Sequence, residues 1–219
     1  MVLEESFSSP NDNPTVESIK ARAAAESYQV RLSDGSSFFI PPEALSDLGL
    51  HKSRTVDSTL YQRLRDAAQL FAAGQKALEL AARREHSRFE LRLKLQKRGF
   101  EETTIEKVIA KLERLEIIDD RRFAEAWLRS RMRRKSEGRR KLKAGLNAKG
   151  VDHRIVDELL DQSWAREKIR EALEAAEDKL LEKCGGDQKK YIRMLMNRGF
   201  SWEEIRKSSF DKFYYYYEK

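Results

Sequence analysis

The chain has 219 residues and a formal net charge of +7, with 37% charged and 40% hydrophobic residues. The charged fraction is well above the usual quarter or so, which favours an elongated helical protein over one compact enzyme core. No stretch has the apolar length of a signal peptide or of a membrane span, and the one cysteine, Cys184, cannot form an internal disulfide, so the sequence predicts a cytoplasmic protein with no membrane contact.

The N-terminal part of the chain carries the only strand signals. Residues 1 to 16 are polar and rich in Pro, Asn and Ser, a composition that predicts a disordered lead. Within residues 17 to 56, apolar residues alternate from Tyr28 to Leu32, a Ser-Asp-Gly-Ser turn follows, and Ser37 to Ile40 returns, which predicts a β-hairpin. Pro42 then opens a short helix. All four prolines lie in the first 42 residues, so the remainder is predicted to be helical.

A repeat of about 50 residues organises the chain from residue 57 onward. Glycines at the same point of a helix-turn-helix pattern, Gly99, Gly150 and Gly199, are separated by 51 and 49 residues. Eight and four residues before them lie apolar pairs at i, i+4 spacing, namely Leu91 and Leu95, Leu142 and Leu146, and Tyr191 and Leu195. This period predicts a mainly α fold. The predicted fold is a tandem array of three three-helix repeats, elongated and curved, which follows the small N-terminal β-hairpin. The repeats are residues 57–117, 118–163 and 164–219.

Helix starts carry capping signals. Ser87, Thr103 and Ser201 are each followed three positions later by Glu, the spacing of a reciprocal capping box. Asp119 and Asp120 precede a helix, and we interpret them as a cap and a helix-dipole partner rather than as metal ligands. The three histidines lie far apart with no second His or Cys at metal spacing, so no metal site is predicted.

Positive charge is concentrated in the second repeat. Residues 121 to 149 contain twelve Arg and Lys against two Glu, a local net charge of +10, while the other 190 residues sum to about −3. Phe123, Trp127 and Leu128 form an apolar stripe beside this basic face. A charged helix face is often merely solvated, but this imbalance favours an anionic partner such as DNA phosphates. The candidate binding residues are Arg122, Arg129, Arg133, Arg134, Arg139, Arg140, Lys143 and Lys149.

An ordered set of residues in the second repeat resembles the central signature of RecX, the bacterial regulator of RecA recombinase. The set is Ile118-Asp119-Asp120, Phe123-Ala124, Trp127-Leu128, Arg131, Gly138, Leu142, Leu146 and Lys149-Gly150. The resemblance covers roughly residues 60 to 208 and departs in the aromatic tail, which ends in Tyr214 to Tyr217. It implies tandem three-helix units, no catalysis, binding in the groove of the RecA filament, and inhibition of its ATPase and strand exchange.

Two functions of different class remain open on the sequence. The first is a non-enzymatic regulator, a monomer without cofactors, that contacts both the RecA filament and the phosphates of single- and double-stranded DNA. The second is a helical-repeat protein that binds DNA phosphates without a protein partner. The first repeat mixes Lys94, Lys97 and Arg98 with several glutamates, which favours a protein partner. No nucleophile elbow, dinucleotide fingerprint or catalytic dyad is present, so an enzyme is not predicted.

The aromatic tail has two interpretations. Its rings are suited to stacking on bases or filling a partner's groove, or to closing the last helix onto its own repeat. We favour closure.

Overall fold

The computed structural model describes residues 13–22 and 26–217, which form a small antiparallel sheet followed by helices. The strands are β1 Val16–Arg22, β2 Ser27–Leu32 and β3 Ser37–Ile40. The helices are α1 Pro42–Asp47, α2 Ser58–Arg83, α3 Arg88–Gln96, α4 Glu102–Arg114, α5 Asp120–Arg134, α6 Arg139–Asn147, α7 His153–Asp161, α8 Ser163–Cys184, α9 Gln188–Asn197 and α10 Trp202–Tyr217. The predicted mainly α fold is confirmed.

The sheet has one strand more than the predicted hairpin. β2 and β3 pair as predicted, with Val30 opposite Phe38, but β1 precedes them and pairs with the other edge of β2. Val16 at the start of β1 is 1% exposed and its N–H donates to the carbonyl of Arg54. The prediction of a disordered lead reaching residue 16 is therefore wrong for residues 13–16, because pairing with a distant segment orders them. Residues 1–12 lie outside the described residues.

The sheet is held by the start of α2. Val30 and Ile40 are fully buried in a cluster that also contains Leu60 and Leu64 of α2. This packing supplies the apolar contact that an isolated hairpin needs for stability in water. As far as the chain is described, these elements belong to a compact unit drawn from Met1–Glu79 and Leu95–Lys111.

The second compact unit is drawn from Leu80–Lys94 and Leu112–Lys219. Its core contains the i, i+4 pairs predicted for the second and third repeats. Leu142, Leu146 and Leu195 are fully buried and Tyr191 is 1% exposed, together with Phe123 and Leu128 of α5. Trp127 and Met132 pack against this core while remaining partly exposed. The repeat boundaries proposed from the sequence remain predictions.

The three repeat glycines have the backbone conformation expected of left-handed helix caps. Gly99, Gly150 and Gly199 have φ angles of +81°, +74° and +92°. The residue after each glycine donates its N–H to the carbonyl five positions earlier, as Phe200 does to Leu195 at 3.4 Å. This pattern ends each second helix at the same point.

Most of the predicted caps at helix starts form. Ser201 and Glu204 cap α10 reciprocally, and Ser87 Oγ accepts from the Glu90 N–H. Asp119 caps α5 by accepting from the N–H groups of its second and third residues. The box predicted at Thr103 is wrong, because α4 begins one residue earlier and Thr103 lies within it.

The aromatic tail forms part of α10 and divides between core and surface. Phe213 is 6% exposed and its ring lies 5.4 Å from that of Tyr191. The Tyr217 hydroxyl donates to the Leu181 carbonyl of α8. These contacts confirm closure of the last helix onto its own repeat, while Tyr215 remains 67% exposed.

Candidate nucleic-acid interface

The basic residues of the second repeat are presented by α5, α6 and the break between them. Burial of Phe123 and Leu128 fixes the rotation of α5, so arginines on its other faces, such as Arg129 and Arg133, are exposed. α5 ends at Arg134, and Lys135 follows it in an extended conformation with a φ angle of −140°. The chain then enters α6 at Gly138.

The break between α5 and α6 docks onto the turn that follows α9. The Gly138 N–H donates to the Arg198 carbonyl at 2.8 Å, and the Arg140 N–H donates to the Gly199 carbonyl at 3.0 Å. A Cβ atom at Gly138 would lie 2.5 Å from the Gly199 carbonyl oxygen. The two backbones therefore approach at a distance that only glycine allows. We call this contact the second joint.

An equivalent contact, the first joint, connects the start of α3 to the turn after α6. Ser87 Oγ donates to the Lys149 carbonyl at 2.7 Å, and a Cβ atom at Gly150 would collide with the Phe89 side chain. The Lys149 ammonium also pairs with Glu90. Burial raises the pKa of Glu90, but the hydrogen bonds from Lys149 and Arg84 outweigh it and leave this pKa below its usual value. Lys149, a candidate binding residue, is thus part of a structural contact.

Two further candidates tie α6 to α7. Arg139 Nη1 lies 2.7 Å from Asp161 Oδ1, and the Lys143 ammonium lies 2.7 Å from both carboxylate oxygens of Asp157. The Lys143 hydrogen bond lowers the pKa of the Asp157 carboxyl. Arg139 and Lys143 lie one turn apart on α6, and this spacing alone suggests two adjacent free cations. They are not free, because α7 supplies their counterions.

Arg122 is likewise engaged at the start of α5. Its Nε lies 2.7 Å from Glu85 Oε1, and its guanidinium also donates to the carbonyls of Glu116 and Ile117. The hydrogen bond to Glu85 raises the pKa of this arginine. These hydrogen bonds connect Arg122 to the loop before α5. They also leave its guanidinium with few donors for a ligand.

The remaining four candidates are exposed and have few partners. Arg133 and Arg140 make no ion pair or hydrogen bond through their side chains within the described residues, and Arg134 donates only to Ser130. Arg129 has a 67% exposed side chain, a 3.4 Å contact with Glu125 and a position over the Trp164 ring. The cations available for an anionic partner are therefore clustered around the end of α5 and the start of α6.

One ion pair in this region was not singled out from the sequence. Arg131 makes a two-pronged contact with Glu137, with Nε–Oε2 and Nη2–Oε1 distances of 2.6 and 3.0 Å. The Glu137 side chain is 6% exposed. The six-residue separation spans the helix break, so no helical i, i+4 rule identifies the pair. It holds the break in place beside the exposed arginines.

Comparison with known proteins identifies the family. Residues 73–112 match the profile of the first three-helix domain of RecX, and residues 119–160 match that of the second. The regulatory protein RecX of Chlorobaculum tepidum is 41% identical over 143 residues, which are 65% of this chain and 89% of that protein. The chain belongs to the RecX family. The regulatory protein RecX of Clostridium acetobutylicum is 29% identical over 202 residues, covering 87% of this chain and 92% of that protein.

Two solved RecX structures resemble the fold. One crystal structure of a regulatory protein RecX has a TM-score of 0.74 at 20% identity and covers 88% of this chain and 97% of its own. That of RecX from Lactobacillus salivarius has a TM-score of 0.57 at 26% identity, covering 64% and 93%. The three-helix organisation is thus shared with other RecX proteins.

The described residues lack two other kinds of site. In residues 13–22 and 26–217, no helix is long and apolar enough to cross a membrane. Within the same ranges, no three or more His, Cys, Asp or Glu side chains come together in a way that would hold a metal ion.

Proposed function

We propose that this RecX family member binds the RecA filament on DNA, inhibits RecA ATPase and strand exchange, and thereby modulates homologous recombination and DNA repair. It acts by binding rather than by catalysis, as a monomer without a cofactor. The observation that carries the proposal is the group of exposed cations Arg129, Arg133, Arg134 and Arg140 on a RecX-type three-helix repeat.

These cations suit the DNA component of the filament. Exposed Lys and Arg gain free energy by neutralising phosphates, because binding releases the ions condensed on the nucleic acid. The side chains are at the surface and are not committed to the core. Binding through phosphates accepts single- and double-stranded DNA of any sequence.

The first repeat suits a protein component. The turn between α3 and α4 places the exposed cation Lys97 near the exposed acid Glu101 along the chain. A surface of mixed sign repels a uniformly negative polymer at its acidic positions. A polyanion alone requires only positive charge. The mixed surface therefore favours a partner that carries both signs, as a recombinase filament does.

The second candidate function is binding to DNA phosphates without a dedicated protein partner. The exposed arginines alone are sufficient for it, since they need no complementary protein surface. Under this alternative any effect on RecA follows from occupation of the DNA.

A titration separates the two functions. The purified chain is added to RecA, single-stranded DNA and ATP, and hydrolysis is measured beside a binding curve for the same DNA without RecA. The proposal expects hydrolysis to fall at protein concentrations too low to coat the DNA. Inhibition that begins only once the DNA is coated supports the second candidate.

A further inference from the structure

A basic concavity lies beside the second joint. It has a volume of about 300 Å³ and is lined by Lys135, Ser136, Glu137, Lys141, Lys179 and Arg198. We call it the basin. Its lining comes from the break between α5 and α6, from α6 itself, from α8 and from the turn after α9. None of its four cations is among the candidate binding residues of the second repeat.

The basin has an excess of positive charge. Among the described residues, the side chains of Lys135, Lys179 and Arg198 make no ion pair and no hydrogen bond. Lys141 has one ionic contact, 3.8 Å from Glu137 Oε1. Glu137 is itself engaged on two oxygens by Arg131. One carboxylate, already shared with an arginine, thus faces four cations.

Such an arrangement is unfavourable without an anion. Like charges around a concavity with few counterions repel one another, and an entering anion relieves that repulsion while accepting several charge-assisted hydrogen bonds at once. The basin lies beside the second joint, where the Gly138 N–H donates to the Arg198 carbonyl. Its walls are therefore positioned before any ligand enters, which reduces the ordering cost of binding.

We propose that the basin binds a backbone phosphate of single-stranded DNA. The inference rests on the DNA-binding part of the proposed function and adds a site whose four cations are not among the predicted binding residues. The four cations come from different elements, so they approach the basin from different sides. A phosphate can pair with them because its oxygens point in several directions. Exposed arginines flank two of these cations along the chain, Arg134 before Lys135 and Arg140 before Lys141. Positive charge thus continues beyond the basin, which suits a chain of phosphates better than one isolated anion.

The test compares two charge-reversed variants of the full chain. The basin variant carries Lys179→Glu and Arg198→Glu. The control carries Lys183→Glu and Arg193→Glu, which alter exposed cations of α8 and α9 outside the basin lining by the same number of charges. Affinity for a fluorescein-labelled oligothymidylate is measured by anisotropy over a range of salt concentrations. Circular dichroism checks that each variant is folded.

The basin variant is expected to bind the oligonucleotide at least about tenfold more weakly than the parent, with a salt slope shallower by about 0.7 for each phosphate that the variant no longer neutralises. The control is expected to bind less than about threefold more weakly, since it changes only the long-range field. Equal reductions in affinity in the two variants would overturn the proposal. Should charge reversal unfold the basin variant, Lys179→Gln with Arg198→Gln gives the same comparison with a smaller change.

Measuring RecA ATPase in parallel distinguishes this inference from the proposed function. A basin variant that binds the oligonucleotide like the parent but no longer inhibits RecA would show that the basin takes an acidic protein segment, and the phosphate proposal would be wrong. A parent chain whose DNA affinity depends on the basin but which never inhibits RecA would refute the proposed function and leave the phosphate site standing.

Discussion

The N–H of Arg140 donates a 3.0 Å hydrogen bond to the carbonyl of Gly199, so the first turn of α6 is tied to the turn that follows α9. At the first joint, Ser87 of the preceding repeat is tied in the same sense to the carbonyl of Lys149. In both joints the start of a second helix contacts the glycine turn about one repeat further along the chain. Gly150 and Gly199 therefore serve two purposes, ending a helix and leaving room for a residue of the preceding repeat.

Gly199→Ala tests the second joint. A Cβ atom there would lie 2.5 Å from the backbone nitrogen of Lys141, and the φ angle of +92° is already unfavourable for alanine. We expect a loss of about 2–4 kcal/mol in the free energy of unfolding, from strain plus collision. Gly99→Ala is the matched control, because Gly99 has a φ angle of +81° but open space around it, and it should cost only about 1–2 kcal/mol. Urea denaturation measures both variants. Equal losses in the free energy of unfolding would show that the second joint rearranges to accommodate the added Cβ atom.

Glu90→Gln tests the first joint through its pH dependence. The pKa of Glu90 is lowered from the ordinary 4.5 in the folded state, so its contribution is present above the unfolded pKa and is lost as pH falls through the folded pKa. We expect the variant to be about 1–2 kcal/mol less stable than the parent at about pH 7. The gap should close as pH falls below about 4.

Urea unfolding at a series of pH values measures this gap. Burial and the nearby cations Arg84 and Lys94 lower the pKa of His86, while the Glu90 carboxylate raises it. The variant loses this coupling too, but the coupling requires an ionised Glu90 and therefore disappears with the rest of the gap at low pH. Glu158→Gln serves as the control, because Glu158 is 60% exposed in its pair with Arg121 and should change stability little at any pH. A Glu90→Gln gap that stays constant down to low pH would contradict the predicted linkage.

The exposed arginines should govern DNA affinity without affecting stability. If the parent neutralises about four phosphates of a single strand, log affinity should fall against log salt with a slope near −3. A triple variant with Arg133→Glu, Arg134→Glu and Arg140→Glu should show a much shallower slope. It should keep the helical circular dichroism spectrum, since surface changes cost about 0.5 kcal/mol or less each. Anisotropy titrations measure the slope. An unchanged slope in the folded triple variant would show that these arginines form a solvated surface only.

The paired cations of α6 should behave in the opposite way. Arg139→Glu with Lys143→Glu leaves Asp157 and Asp161 facing new negative charge, so we expect the midpoint of urea denaturation to fall below that of the parent. The exposed triple variant is the comparison. A double variant as stable as the parent would show that the α6–α7 ion pairs contribute nothing.

Glu137→Gln should separate stability from binding. Removing the charge breaks a nearly buried two-pronged pair with Arg131, which we expect to cost about 1–3 kcal/mol. Glu125→Gln, which affects an exposed pair with Arg129 at 3.4 Å, should cost about 0.5 kcal/mol or less. Glu137 also lines the basin, so its neutralisation should tighten oligonucleotide binding while destabilising the fold. Urea denaturation and anisotropy measure the two effects, and weaker binding by the folded variant would contradict the expectation.

Features that depend on near neighbours along the chain could be predicted from the sequence. The leucines at positions 142 and 146 are buried because the helical period places both on one face, and the positive φ angles at Gly99 and Gly199 follow from a helix that must end there. Local rules were sufficient for these features because the interacting atoms lie within a few residues of one another. The family resemblance could likewise be seen in the sequence, because the signature residues of the second repeat follow one another in a short stretch of the chain.

Which of the basic side chains have counterions depends on how the helices pack. Arg139 and Arg140 are adjacent in sequence, yet α7 supplies carboxylates to the first and none within the described residues to the second. Strand β1 was missed because its order comes from pairing with β2 and from the Val16 contact with Arg54. Lys135 and Arg198 line one basin although more than sixty residues separate them. Coulomb interactions and backbone pairing depend on distance in space, and that distance is set by how the helices pack rather than by any local pattern.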